Sequence, residues 1–312
     1  MSDLRPHPSS LAMPGKRFVI GVPFGWLTVF FLLPFLILLY ISFVDMGGDI
    51  HPFKPLWDSQ TGVLHLKYEN YWTIFKTDWD GALFQTLYIE AYLRSVVYAF
   101  VTALLCLLVG YPFAYFIARS PASVRPALLM LVMLPFWTSF LLRVYAWKGI
   151  LADQGVLNQL LMALGLTTEP IQMLYTNVSM LVGMTYVYLP FMVLPLYANL
   201  VKMDFRLLEA AYDLGASPFK AFWLVTVPLS KAGIIAGFML VFIPCVGEFV
   251  IPSLLGGPEN LMIGRVVWDE MFASNNWPRA SALAVAMIGL IIVPLAIYYH
   301  YTGDAAPDAA KS

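Results

Sequence analysis

The residues whose types and spacing could do chemistry fall in two places. The first is residues 202–231, Lys-Met-Asp-Phe-Arg-Leu-Leu-Glu-Ala-Ala-Tyr-Asp-Leu-Gly-Ala-Ser-Pro-Phe-Lys-Ala-Phe-Trp-Leu-Val-Thr-Val-Pro-Leu-Ser-Lys. Within it Phe219, Phe222 and Trp223 stand at i, i+3, i+4, one face of a helix. Such a stripe does docking chemistry: it fills a groove on a partner, or it packs on the chain's own helices or in lipid, and spacing alone does not choose. The second place is Glu248, inside an apolar run beside Pro244, Gly247 and Pro252. An ionised carboxylate at bilayer depth costs roughly 2.5–3.5 kcal/mol on insertion scales, so it must face a cavity or a partner. Arg143 and Arg265 are the structural pairings open to it. Catalysis finds no support. His7, His51, His65 and His300 are peripheral, no nucleophile elbow or metal-ligand spacing occurs, and no Gly-x-x-x-x-Gly-Lys-Ser/Thr loop offers a nucleotide site. Cys106 and Cys245 lie in apolar runs and read as free buried thiols.

The elements that must position these residues belong to a membrane protein. Of 312 residues, 60% are hydrophobic and 12% charged, against about 45–50% and about 25% in soluble domains. A surface so poor in charge is solvated by lipid. With a net charge of −1 and no basic stripe, no nucleic-acid partner is expected. A helix rising about 1.5 Å per residue needs some 20 apolar residues to cross roughly 30 Å of hydrocarbon. Six stretches qualify, at 18–43, 95–118, 127–147, 178–200, 232–254 and 281–301, which predicts an all-α integral membrane fold. The third carries Pro135 and ends near Arg143 and Lys148, and the fifth carries Pro244, Gly247 and Glu248. Breakers of this kind are tolerated where neighbouring helices or water satisfy the freed backbone groups, so these two spans read as interrupted and lining a pathway.

The first run is too long for a signal-peptide core and is followed by no small-x-small cleavage site, so 18–43 reads as a retained first transmembrane helix. Residues 1–17 form a polar tail expected to be disordered, 44–94 an outer segment, 95–301 the main membrane domain and 302–312 a second tail. Six spans put both termini on one side. Placing them in the cytoplasm gathers Lys16, Arg17, Arg119, Arg125, Lys202, Arg206, Lys220 and Lys231 there, and the short link with Arg119 and Arg125 holds no acid. The outer segment 44–94 carries Trp57, Tyr68, Tyr71, Trp72 and Trp79 and reads as a cap at the membrane interface. A second outer segment, 149–177, carries a short amphipathic helix (Val156, Leu157, Leu160, Leu161, Leu164) ending at Gly165.

Local signals divide 202–231. Asp204 can cap a helix start before Leu207, Leu208, Glu209, Ala210 and Ala211. Gly215 falls where a helix ends in the left-handed conformation. Ser217 and Pro218 restart the chain as N-cap and first helical residue, and Pro228 is expected to stop the second helix. The expectation is two short helices meeting at a glycine elbow outside the bilayer.

Glu209-Ala210-Ala211, three residues, Gly215, nine residues, then Val225-Thr226-Val227-Pro228 resembles the signature of permease subunits of ABC importers, with Val225 and Val227 in place of the commoner Ile and Leu. The resemblance covers about 75–300 as the family's membrane domain, with an added first span. Residues 134–147, 246–258 and 262–268 resemble the putrescine and spermidine branch. The resemblance implies a type I importer permease fold of about six transmembrane helices in the bacterial inner membrane, and no enzyme. It implies a second permease as heterodimer partner, two copies of a cytoplasmic ATPase that bind the ATP and magnesium, a periplasmic polyamine-binding protein, and no cofactor in this chain.

By the same resemblance 204–228 is the coupling segment, with Glu209, Ala210, Ala211, Gly215, Ser217, Pro218, Phe219, Phe222, Trp223 and Pro228 meeting the ATPase. The cargo is then a polyamine, with putrescine expected. A flexible chain with ammonium ends calls for carboxylates and aromatic faces along its path. Glu248 is the first candidate. Asp269 and Glu270 beside Trp268 face the path or the binding protein, and Trp137, Tyr145, Tyr186 and Tyr188 are walls that core or belt packing would equally explain. A secondary transporter would show internal repeats with matched broken helices, and an intramembrane enzyme facing clusters of His, Asp or Glu; the sequence has neither.

Overall fold

A computed structural model describes residues 16–48, 51–57, 65–75 and 87–303, and the secondary structure among them is helical. The helix α1 (Lys16–Leu27) passes through a π turn (Thr28–Leu32) into α2 (Leu33–Ser42). A short α3 (Glu69–Trp72) precedes α4 (Leu87–Arg119). Next come α5 (Arg125–Met133), a 3₁₀ turn (Leu134–Trp137), α6 (Phe140–Leu151), α7 (Val156–Ala163) and α8 (Asn177–Leu200). The elbow region holds α9 (Arg206–Asp213), α10 (Pro218–Ala221), a π turn (Phe222–Thr226) and α11 (Val227–Leu229). The chain closes with α12 (Lys231–Val246), α13 (Val250–Leu255), α14 (Ile263–Trp268), a π turn (Asp269–Ala273) and α15 (Trp277–Gly303).

Among the described residues three helices, Phe18–Ser42, Leu87–Arg119 and Asn177–Leu200, are long and apolar enough to cross a membrane. Two bent pairs raise the number to five, and α15 carries the last apolar stretch. The third and fifth stretches depart from single continuous helices. The third bends by 87° between Arg125–Trp137 and Phe140–Ala163, because Thr138 is extended (φ −95°, ψ 154°) after the Pro135 turn. The fifth stops at Val246, leaving a turn before the separate α13. Two boundaries also move. The second span starts at Leu87 rather than 95, its polar extension carrying a Glu90–Arg94 pair at 3.2 Å. The first helix starts at Lys16, while the rest of the N-terminal tail, Trp79 and residues 304–312 lie outside the described residues.

The helices α4, α8 and α12 form the centre. A run of small residues on α4 (Ala99, Ala103, Cys106, Gly110, Ala114, Ala118) is buried at helical spacing. Small side chains let helix backbones approach where lipid supplies no hydrophobic drive to associate. Into that face α8 places Met180, Met184, Met192 and Leu196, each fully buried. By contrast Phe18–Ser42 is almost wholly exposed in the single chain; its second half, α2, lies against α15, and its end is tied down. There the Asn70 amide donates to the carbonyls of Ser42 (2.9 Å) and Val44 (3.0 Å).

Candidate functional site

The elbow is built by local chemistry. Asp204 Oδ1 accepts the Arg206 N–H at 3.0 Å, with Phe205 rather than Asp204 at the cap position of α9. At the other end Gly215 has φ +83°, and the Ala216 N–H reaches the Ala211 carbonyl at 3.0 Å, the bond that closes a helix through a left-handed residue. Ser217 caps α10, accepting from the Lys220 N–H, and Pro218 is its first residue. Pro228 does not stop the second helix, which runs on to Leu229. The π turn before it bonds the Val227 N–H to the Phe222 carbonyl, and this wider loop accommodates a residue that has no N–H to give. The same pairing of π turn and proline occurs at Thr28–Leu32 and Pro34.

The π turn also divides the aromatic stripe. Phe222 turns inward, its ring 5.4 Å from Tyr111 and 6.1 Å from Tyr115. Phe219 (72% exposed), Trp223 (53%) and Leu224 (73%) stay outside, as does Leu214 at the elbow (89%). Packing on the chain's own helices therefore holds for Phe222, while Phe219 and Trp223 stay exposed. The inward part is joined to the end of α4. Tyr111 Oη and Ser230 Oγ are 2.7 Å apart, and the Arg119 guanidinium lies 5.6 Å over Tyr115 and 5.8 Å over Phe205. Glu209 is exposed, with no partner for its carboxylate among the described residues.

The second place is the break after α12. Glu248 is 8% exposed. Neither Arg143 nor Arg265 pairs with it. Its Oε1 accepts the N–H groups of Phe249 (3.0 Å), Val250 (2.9 Å) and Ile251 (3.4 Å), and its Oε2 accepts the Tyr188 hydroxyl. The carboxyl thus caps α13, meeting donors that the start of a helix leaves free. Close packing holds the break: a Cβ on Gly264 would collide with the backbone oxygens of Gly247 and Glu248, so α14 lies directly against it. Phe249 stacks on Trp268 (4.7 Å, 17°), and Phe272 lies tilted against Trp268 (4.2 Å, 42°).

The other candidates divide. Tyr188 reaches Glu248 and Trp268 reaches its neighbour Phe249. Tyr186 instead packs edge-on against Trp147 at 5.4 Å. Trp137 and Tyr145 are 73% and 54% exposed and join neither group; each lies beside the third-span break with its ring outward. Glu270 accepts from Tyr88 and lies 3.9 Å from Arg279, while Asp269 lies 3.8 Å from Arg265 one helical turn away. Both carboxylates thus sit in pairings within the chain.

Two phenylalanines passed over in the sequence, Phe136 and Phe191, connect Tyr188 to Arg143. Phe136 meets Phe191 edge-on at 5.3 Å, Phe191 lies 6.1 Å from Tyr188, and the Arg143 guanidinium sits 4.9 Å over Phe136 and 5.9 Å over Phe140. Arg143 is 9% exposed, and its Nε and Nη1 have no hydrogen-bond partner. A ring face supplies a cation with about 0.5–2 kcal/mol, less than the several kcal/mol that burial withdraws from an ion. The only sequence signal for this group was an arginine in an apolar run, since phenylalanine on a span looks the same whether it faces lipid, core or a cation.

The chain is similar to known proteins over most of its length. Residues 110–303 match the family described as binding-protein-dependent transport system inner membrane component. The spermidine/putrescine transport system permease protein PotB of Haemophilus influenzae is 38% identical over 91% of this chain and 93% of its own length. PotB of Escherichia coli K12 is 37% identical over 88% and 94%. The inner membrane ABC transporter permease protein YdcU of E. coli is 34% identical over 69% and 72%. Among solved structures, a chain of a bacterial ABC transporter that imports the acidic polysaccharide alginate has a TM-score of 0.61 at 16% identity, covering 93% of this chain and 96% of that one, a likeness of fold.

Proposed function

This chain belongs to the family of binding-protein-dependent transport system inner membrane components, and from that premise we propose that it is the membrane path of a polyamine importer, with putrescine as its cargo. It is a non-catalytic permease subunit of an ABC importer. In the proposed assembly it pairs with a second permease, receives cargo from a periplasmic polyamine-binding protein and rests on two copies of a cytoplasmic ATPase that hold ATP and magnesium. Both termini and the 204–228 segment lie on the cytoplasmic side.

The observation that carries the reading is the elbow. A short, well-capped helix pair exposes Leu214, Phe219 and Leu224, and its inward ring, Phe222, is packed on the end of the central helix α4. Exposed apolar side chains on a rigid support fit a helix-in-groove contact. Movement of the ATPase pair then passes through Phe222, Tyr111 and Tyr115 into α4. ATP shifts the equilibrium by its differential affinity for the two states of the ATPase, and the elbow is the rigid link that carries the shift. Glu248, at the break of the fifth span, is the proposed carboxylate of the passage.

The test is co-purification of the ATPase with this chain and its partner permease, followed by ATPase activity and uptake in proteoliposomes with the binding protein. ATP-dependent putrescine uptake is expected, with spermidine and agmatine as weaker competitors. Uptake that survives omission of the ATPase overturns the coupling reading, and a complex indifferent to all three amines overturns the cargo.

A further inference from the structure

We infer that the ring faces of Phe136 and Phe140 form a binding station for an organic cation, filled in this state by the chain's own Arg143 and taken over by an ammonium group of the cargo during passage. The inference rests on the polyamine reading and adds a site to it. A purely structural buried arginine is held by hydrogen bonds, because its five donors must all be satisfied away from water. Arg143 is not held that way. Its Nε and Nη1 are buried without partners, no carboxylate lies within ion-pair distance among the described residues, and the ring faces at 4.9 and 5.9 Å are what it rests on. A guanidinium is weakly hydrated and lies readily on aromatic faces, so it can occupy such a place without anchoring bonds and leave it again.

The station stands in line with Glu248. Phe136 touches Phe191, Phe191 lies one turn along α8 from Tyr188, and Tyr188 donates to Glu248. One end of this line is a cation on a ring, beside the bend of the third span, and the other a carboxyl in the turn between α12 and α13, with α8 between them. A diamine has the two charges such a line needs, one for the ring station and one for Glu248. Arg143 keeps the first place filled when cargo is absent, so a neutral solute, which cannot replace a cation on the ring face, is refused.

The experiment uses the assembled complex in nanodiscs without the binding protein, with radiolabelled putrescine as probe. Arg143→Gln is expected to raise direct putrescine binding about tenfold, equivalent to about 1.4 kcal/mol, and adding Phe136→Leu to that variant is expected to abolish the gain. Arg143→Lys keeps the charge, and with it assembly, but holds the ring less well, so an intermediate gain is expected even if the glutamine variant fails to assemble. Unchanged binding in Arg143→Lys, or a gain in Arg143→Gln that persists after Phe136→Leu, overturns the station. Putrescine uptake by the unaltered complex is measured alongside. If that uptake is normal while the variants show no gain, only the station falls; if it is absent, the cargo reading falls and the station with it.

Discussion

The elbow at 204–229 and the break at Glu248 use the same device, a short helix restarted by a polar cap, and turn it to opposite ends. At the elbow Ser217 caps α10 from the surface, and apolar side chains are left exposed. At the break Glu248 caps α13 from the interior, and Tyr188 covers what remains of its carboxyl. One region leaves an apolar surface uncovered, and the other is complete as it stands. Under the proposed function the difference assigns the motion: the elbow moves as a rigid body, and the break is rearranged to hold a cargo.

The largest expected effect comes from making the elbow impossible. Gly215→Pro requires φ near −65° where the chain has +83°. The chain should still reach the membrane, while ATPase co-purification and uptake fall by about tenfold or more. Retention of both would show that the angle does not matter. Next, Gly264→Val places a side chain against the backbone of the break and should lower stability by about 1–3 kcal/mol, read as a lower melting temperature of the complex with ATPase association intact. A variant that melts normally would mean the break is already loose.

A finer cut divides the elbow itself. Trp223→Ala should leave the stability within about 0.5 kcal/mol of the parent, read as a nearly unchanged melting temperature, and weaken ATPase association. Phe222→Ala should reduce stability by about 1–3 kcal/mol, below the full core value because its ring is half-buried. The same loss from both would erase the division into outer and inner parts. The smallest effect is expected from Tyr188→Phe, which removes one hydrogen bond from Glu248, worth about 1 kcal/mol. Uptake at limiting putrescine should change a few-fold with no loss of ATPase binding; no change at all would separate Tyr188 from the passage.

Much of the elbow could be foreseen because its determinants are neighbours in the chain. Gly215, Ser217 and Pro218 act on residues two to five positions away, and their conformations follow from backbone sterics and capping. Pro228 was misjudged because its consequence depends on Phe222. Burial of that ring against Tyr111 and Tyr115, more than a hundred residues away in sequence, goes with a π turn that lets the helix continue. In the passage, Trp137 and Tyr145 drew attention by their polar tips, yet their rings point outward. Phe136 and Phe191, with no tip to mark them, meet edge-on beside Tyr188, although Phe191 is itself 38% exposed.

The composition and the apolar runs by themselves determined that this is a helical membrane protein, and the capping residues determined the shape of the elbow, since both effects act through local transfer energies and local hydrogen bonds. Only the tertiary structure decided that the carboxyl of Glu248 belongs to Tyr188 and the start of α13, that Arg143 rests on Phe136, and which part of the aromatic stripe stays exposed. Those outcomes depend on which side chains meet when α4, α8 and α12 pack. A sequence pattern records that a residue is apolar or charged, and packing alone chooses its neighbour.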